Sequence, residues 1–363
     1  MTLTAPPDIT DRVNPEPTAE RIVLVVNPYK TKRPGDVPPD DMLEQLSTAN
    51  PSHSVEPLDV RAMENHLSRP ETAQHTTYAT IGGDGTLHSL ANALIRHGRT
   101  STSTIWPFTE GGASEVAKMC GAEPFSKTDL HLERHLHTAC VRPIRHALHT
   151  TTHLGQQLPS WEEVRDTKPD TEIYALYTSA IGNVAVGSVI IDSKAFRETT
   201  AGKHELRRML REAWAGIRHI NTPFVAPLVD KDNHALRLSS IMYANGPRLG
   251  RYGRLKTDLF RADAKRLPHG VRPEHVWMDV SRLVLGRARS QTLKPDNQDV
   301  VGLPEGAFFQ ADGEPRLLPP GWLHTSIATQ ERSIRFIVDS NQHQHTKPKH
   351  LGRLLSFARP TKR

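Results

Sequence analysis

Gly82-Gly83-Asp84-Gly85-Thr86 stands between a short β-like run, Thr77–Ile81, and a helical pattern with Leu87, Leu90, Ala91 and Leu94 on one face. A glycine-rich turn that leaves a strand and opens a helix directs the chain towards a layered α/β architecture. The turn also has a chemistry. Glycine permits φ > 0 and lets backbone approach a ligand closely. The N-terminus of the following helix offers unpaired N–H groups to an anion. Asp84 can take a proton, or hold a cation that a phosphate brings with it. Gly82, Gly83, Asp84, Gly85 and Thr86 are therefore candidate phosphate-binding residues, the alternative being an ordinary βα turn.

The neighbouring segments keep the same alternation. Ile22–Val26 is a continuous apolar run ending at Asn27-Pro28, the pattern of a strand buried on both faces of a parallel sheet. A helix is expected over Asp40–Ser47, a strand over Val55–Val60 and a short helix over Ala62–Leu67. The helix after the glycine turn should stop at His97-Gly98, and Thr104–Phe108 should form another strand. That strand leads to a second glycine pair, Gly111-Gly112, and to Ser114, a plausible N-cap for a helix over Glu115–Cys120 with Gly121 as its stop. Residues 21–140 thus read as an α/β domain with a parallel-rich sheet.

Beyond residue 140 the texture changes. After a polar insertion, Thr151–Asp170, β-like runs follow one another: Ile173–Ala180, Val184–Ile191, Leu236–Tyr243, Trp277–Leu285, Ala307–Gln310 and Ile334–Val338. One helix, His204–Ile220, interrupts them. Strands in succession predict a mostly antiparallel, β-rich second domain over 141–338. Residues 1–20 read as a disordered lead and 339–363 as a basic tail.

Charge and cysteine usage narrow the partners. The 363 residues carry a net charge of +6, which favours anions such as nucleotide phosphates or an acidic lipid surface. No aromatic-basic motif of a nucleic-acid reader is present. Cys120 and Cys140 do not make a secreted disulfide framework. No apolar run reaches the roughly 18–20 residues of a membrane span, and Met1–Glu20 has no apolar stretch of signal-peptide kind. A cytoplasmic protein, peripheral to the membrane, is expected.

Five landmarks in order carry a resemblance: Val25-Val26-Asn27-Pro28, Gly82–Thr86, Gly111-Gly112-Ala113-Ser114-Glu115, Ala244-Asn245-Gly246-Pro247 and Asp312-Gly313-Glu314. The chain resembles the diacylglycerol kinase / sphingosine kinase catalytic family, soluble lipid kinases distantly related to NAD kinases, over roughly residues 21–338. The resemblance implies an α/β nucleotide-binding half and a β-sandwich half, with ATP and substrate meeting between them. It implies ATP and Mg²⁺ as cofactors and, as acceptor, a lipid with a free hydroxyl, diacylglycerol or sphingoid-like. It places ATP phosphates at Gly82–Thr86, with Asn27, Gly111, Gly112 and Ser114 at the same mouth. It assigns Asp312 as general base with Glu314 beside it and Asp84 acting on the phosphates. In an extended segment, Asp312 and Glu314 would face the same side. Taken alone, Asp-Gly is also a common turn pair.

The chain departs from that family at three places. Tyr29-Lys30-Thr31-Lys32-Arg33 replaces a glycine-containing loop, the second glycine loop lacks its usual Thr and Asn, and Pro268-His269-Gly270 replaces an Asp-Gly pair. Two other readings therefore stand beside a lipid kinase: a kinase for a soluble acceptor such as NAD, and a family member that binds nucleotide or lipid without turnover. A homodimer is left open. His131, Glu133, His135 and His137 are expected on a helix, read as a surface face rather than a metal site. Arg207, Arg208, Arg211 and Arg218 are read as a solvated face, with an anionic membrane strip as the alternative.

Overall fold

The computed structural model describes residues 21–27, 37–70, 74–109, 114–135, 137–151, 159–165, 167–182, 185, 226–229, 235–238, 240–246, 248–249, 253–254, 265–269, 291–292 and 299–339. The N-terminal half contains β1 (Arg21–Val26), α1 (Pro39–Ala49), β2 (Ser54–Asp59), α2 (Met63–Leu67), β3 (Thr76–Gly82), α3 (Asp84–Arg96), β4 (Ser103–Thr109), α4 (Glu115–Met119) and β5 (Thr138–Val141). It continues with β6 (Ile144–Thr150), α5 (Trp161–Arg165), β7 (Thr171–Ala175), β8 (Thr178–Gly182), β9 (Ala226–Val229), β10 (Ala235–Leu238), β11 (Ser240–Ala244), β12 (Arg248–Leu249), β13 (Gly253–Arg254), β14 (Lys265–His269) and β15 (Gln291–Thr292). The chain closes with β16 (Asp299–Leu303), β17 (Ala307–Ala311), β18 (Glu314–Leu318), β19 (Gly321–Ile327) and β20 (Ile334–Ile337).

The first sheet has the order β2-β1-β3-β4-β20-β5, parallel throughout except for the β20–β5 pair. The apolar run of β1 explains its central place. Side chains alternate along a strand, so Val23 and Val25 enter the core with Leu87, Leu90 and Leu94 of α3. Ile22, Leu24 and Val26 enter the opposite core with Met42 and Leu46 of α1. Both faces are covered by helices, as an all-apolar strand requires.

Apart from β12-β13, which form a separate two-stranded sheet, two six-stranded antiparallel sheets form the sandwich of the second region, ordered β10-β9-β16-β19-β6-β7 and β15-β14-β11-β8-β17-β18. Their inner faces share one core, with Leu148, Val301 and Leu323 from one sheet against Ile181, Tyr243 and Phe309 from the other. One polar link crosses that core: buried His146 lies 2.7 Å from Ser179 Oγ across the sandwich and 2.9 Å from Thr325 Oγ1 in its own sheet. The fold is thus an α/β domain with a parallel-rich sheet followed by a β-rich domain. The chain then returns: β20 leaves the sandwich and hydrogen-bonds between β4 and β5 of the first sheet.

Three local expectations are corrected. His131–His135 is not an α-helix; among its described residues Leu132–Arg134 form a single 3₁₀ turn, so His131 and His135 do not share a helical face. Ile173–Ala180 is two strands, β7 and β8, interrupted at Leu176-Tyr177. Asp312 and Gly313 form a turn rather than a continuous extended segment. The helix 204–220, the strand 277–285, the loop Tyr29–Arg33 and the tail from residue 340 lie outside the described residues, as do Gly111, Gly112 and all but one residue of 184–191.

Candidate active site at the carboxyl edge of the parallel sheet

From β1 the chain passes through α1 to β2 on one side; from β3 it passes through α3 to β4 on the other. The connections leaving β1 and β3 therefore diverge, and open α/β sheets bind ligands in the crevice at such a point. Asn27 follows Val26, which is level with Ile81, and Gly82 closes β3 beside Thr109 of β4. Asn27 and the Gly82–Thr86 turn thus sit side by side at the carboxyl edge.

The glycines are required there by close approach and not by φ, since none of Gly82, Gly83 and Gly85 has a positive φ. A Cβ on Gly82 would stand 2.3 Å from Thr86 Oγ1. That hydroxyl is buried without a hydrogen-bond partner among the described residues. A Cβ on Gly85 would stand 1.8 Å from Glu314 Oε1. The two sequence-distant candidates, Gly85 and Glu314, are therefore in contact across the two halves of the chain. The space beside Gly82 is taken by the Thr86 side chain and that beside Gly85 by the Glu314 carboxylate, while the N-terminus of the 13-residue α3 is of the kind that can meet an anion.

Half-buried Asp84 bridges two elements. Its Oδ2 accepts from Glu115 N and its Oδ1 from Val116 N, each at 3.1 Å. Asp84 thus caps α4 from a distant turn. Ser114, the expected cap, makes no capping bond and instead donates Oγ–H to Gly82 O at 3.3 Å. Burial pushes the Asp84 pKa from 3.8 up to about 7; the two N–H groups oppose this, and the negative charges of Asp312 and Glu115 add to it.

Asp312 and Gly313, with φ of 50 and 88, join β17 to β18. Positive φ at both central residues is what a two-residue hairpin of type I′ demands, and Asp-Gly suits it. The turn directs Asp312 inward: its side chain is 0% exposed. Oδ2 accepts from Leu176 N at 2.7 Å, and Oδ1 accepts from Tyr177 N at 2.8 Å and Thr178 N at 3.0 Å. His88 Nδ1 donates to Oδ2 at 3.0 Å. The expected general base is thus enclosed by four donors, with no access for a substrate hydroxyl. Glu314 is exposed and lies over Gly85, so both acids reach α3 but only Asp312 is enclosed.

His88 and Asn92 were not legible as site residues from the apolar face of α3. With Asp84 they form a stripe at i, i+4 and i+8, and that polar spacing on an otherwise buried helix was the available signal. Asn92 Nδ2 donates to Tyr174 O at 2.7 Å, and Asn92 Oδ1 accepts from Tyr174 N at 2.9 Å. Asn245 Nδ2 donates to Leu176 O at 3.1 Å, and a Cβ on Gly246 would meet the Tyr177 ring at 2.3 Å. The Ala-Asn-Gly-Pro landmark therefore braces the backbone whose N–H groups hold Asp312. Among the described residues, no group of three or more metal-ligating side chains gathers.

No protein-family model matches the sequence. No curated protein matches it either. Solved structures do. A diacylglycerol kinase from Bacillus anthracis is 16% identical with a TM-score of 0.57, the match covering 90% of this chain and 99% of that one. A second structure of this kind from the same organism is 15% identical with the same TM-score and coverage. A yeast NADH kinase complexed with NADH is 11% identical with a TM-score of 0.50, covering 95% of this chain and 91% of that one. At these identities the likeness concerns architecture: the chain has the two-domain fold of these diacylglycerol kinase structures, shared more distantly with the NADH kinase.

Proposed function

We propose that the protein is an ATP-dependent phosphotransferase that moves the γ-phosphoryl group to a lipid hydroxyl. The observation that carries this reading is the meeting of the Gly82–Thr86 turn with the Asp312–Glu314 turn, marked by the Gly85–Glu314 contact. Phosphoryl transfer asks a protein mainly to position its reactants and neutralise charge. Gly82, Gly83, Gly85 and Thr86 cradle the phosphates, with Asn27 at the same edge. Asp84, with a pKa near 7, takes the hydroxyl proton, a role worth typically ~10²–10⁴ in rate. Asp312 is a positioning residue that locks the second domain's turn against α3 and raises the basicity of Asp84. A magnesium ion arriving with the nucleotide would find a hard oxygen ligand in exposed Glu314, and would neutralise phosphate charge.

The lipid acceptor accords with the similarity to diacylglycerol kinase structures. Each methylene moved into water costs ~0.8 kcal/mol, so such an acceptor would be met at a bilayer surface. Among the described residues no helix is long and apolar enough to cross a membrane. The likeness to an NADH kinase favours a second reading, with NAD as soluble acceptor. ATP consumption with diacylglycerol vesicles, sphingoid base or NAD separates the two. Turnover with lipid alone is expected; turnover with NAD alone would reverse the assignment. No turnover with any acceptor, together with no ATP binding, would end the kinase reading.

A further inference from the structure

We propose that Arg316 clamps the terminal phosphate of the nucleotide, and that His88 holds its guanidinium in place. The inference rests on the phosphotransferase reading above and adds to it the cation that the Gly82–Thr86 turn does not supply.

Glu314 and Arg316 are two apart on β18 and so point to one side. Glu314 reaches Gly85 in the first turn of α3. Arg316 reaches one turn further, where its Nη2 lies 3.4 Å from His88 Nε2. Its guanidinium therefore lies along α3 one helical turn beyond Asp84, although the residue as a whole is exposed. Among the described residues Arg316 makes no close ion pair; the Glu314 carboxylate, two residues before it, attracts its charge, and Arg96 at the end of α3 opposes it. A guanidinium held in no close ion pair keeps N–H groups to offer an anion.

The orientation follows from a chain of hydrogen bonds. The Asp312 carboxylate already accepts three backbone N–H groups, so the proton in its contact with His88 belongs to Nδ1. With the Nδ1–H given to Asp312, Nε2 is the ring atom that faces Arg316 as acceptor. It accepts from Arg316 Nη2 and leaves the remaining N–H groups of the fork free. His88 is 1% exposed and fixed on a helix, so it offers a rigid support. Planar, forked recognition is what distinguishes an arginine–phosphate contact from a lysine point charge.

The test compares the wild type with Arg316→Ala, Arg316→Lys, His88→Gln and the His88→Gln/Arg316→Ala pair. ATP and ADP binding are measured by calorimetry and turnover by ATP consumption. Arg316→Ala is expected to weaken ATP at least tenfold while leaving ADP, which lacks the terminal phosphate, within twofold. It should cut kcat/KM by about 10²-fold, with added methylguanidine restoring at least a tenth of the wild-type value. Arg316→Lys should recover only part. His88→Gln should cost about tenfold alone and little in the Arg316→Ala background, because it acts through that residue. Equal weakening of ATP and ADP, or unchanged kcat/KM in Arg316→Ala, overturns the clamp while leaving a functioning wild-type kinase. A wild type that binds ATP without turnover is still decided by the ATP-against-ADP difference. A wild type that binds neither nucleotide overturns both readings.

Discussion

Glu314 Oε1 lies so close to Gly85 that a Cβ on that glycine would stand 1.8 Å away. The contact joins the first turn of α3 to the β17–β18 hairpin, so Glu314 stands over the proposed phosphate loop. The obstacle is the far end of a flexible side chain. Gly85→Ala is therefore expected to displace Glu314 at little cost in stability, and alanine is in itself the better helix former by up to ~1 kcal/mol. Melting within a few degrees of wild type, together with lost turnover, is the expected pair of results. Unimpaired turnover would show that the carboxylate above Gly85 has no part in the reaction.

Asp84 sets a pH dependence of activity and of stability, with opposite signs. Its pKa is pushed from 3.8 to about 7. A proton acceptor must be ionised, so kcat should rise with pH through about 7 and level off. For stability, the native state binds more protons than the unfolded chain between those values. The stabilisation belonging to this group is therefore complete below pH 3.8 and lost as pH rises through about 7. Asp84→Asn should abolish turnover and remove this part of the profile, as urea midpoints measured across pH would show.

Asp312→Ala should act first on folding. It strips a buried carboxylate from the N–H groups of Leu176, Tyr177 and Thr178 and from His88, and places alanine at a φ of 50. Unpartnered buried donors cost ~1–3 kcal/mol each, so a loss of at least about 3 kcal/mol is expected. Asp312→Asn tolerates the same φ and retains one oxygen acceptor, so it should recover part of that loss. If Asp312→Ala melts like wild type yet has lost turnover, Asp312 would return as the direct proton acceptor.

His146 predicts sensitivity to acid. Burial lowers its pKa from 6.5 to about 3, with His324 adding to the effect. The unfolded chain then binds more protons than the native one within that range. Stability from this group is complete above pH 6.5 and is lost as pH falls towards about 3. His324, lowered to about 3 chiefly by its own burial, acts in the same direction. His146→Gln should flatten part of the slope of urea midpoint against pH between 6.5 and 4, and an unchanged slope would count against a neutral His146 in the core.

Much of the α/β half was legible because its signals are local. Ile22–Val26 announced a doubly buried strand, and Gly82–Thr86 announced its turn, because apolar period and glycine content act within a few residues. The sandwich was less legible. β6 carries Arg145, His146 and His149, and β16 begins at Asp299, so neither reads as a simple alternation. His146 is apolar-facing only because Ser179 and Thr325 satisfy it from other strands. The cap of α4 was misassigned for a related reason: Ser114 has the right residue type, but Asp84 reaches the N–H groups first.

The order of landmarks along the chain determined the fold class and the membership of Asp84, Asp312 and Glu314 in one candidate set. Only the tertiary structure decided what each acid can do. A carboxylate's chemistry depends on the donors and solvent around it, and those come from segments far away in sequence. Leu176–Thr178 and His88 enclose Asp312, whereas Glu314 is left exposed above Gly85. Burial and the nearby charge of Asp312 raise the pKa of Asp84 to about 7. Residue type names the group; its desolvation and its neighbours assign the role.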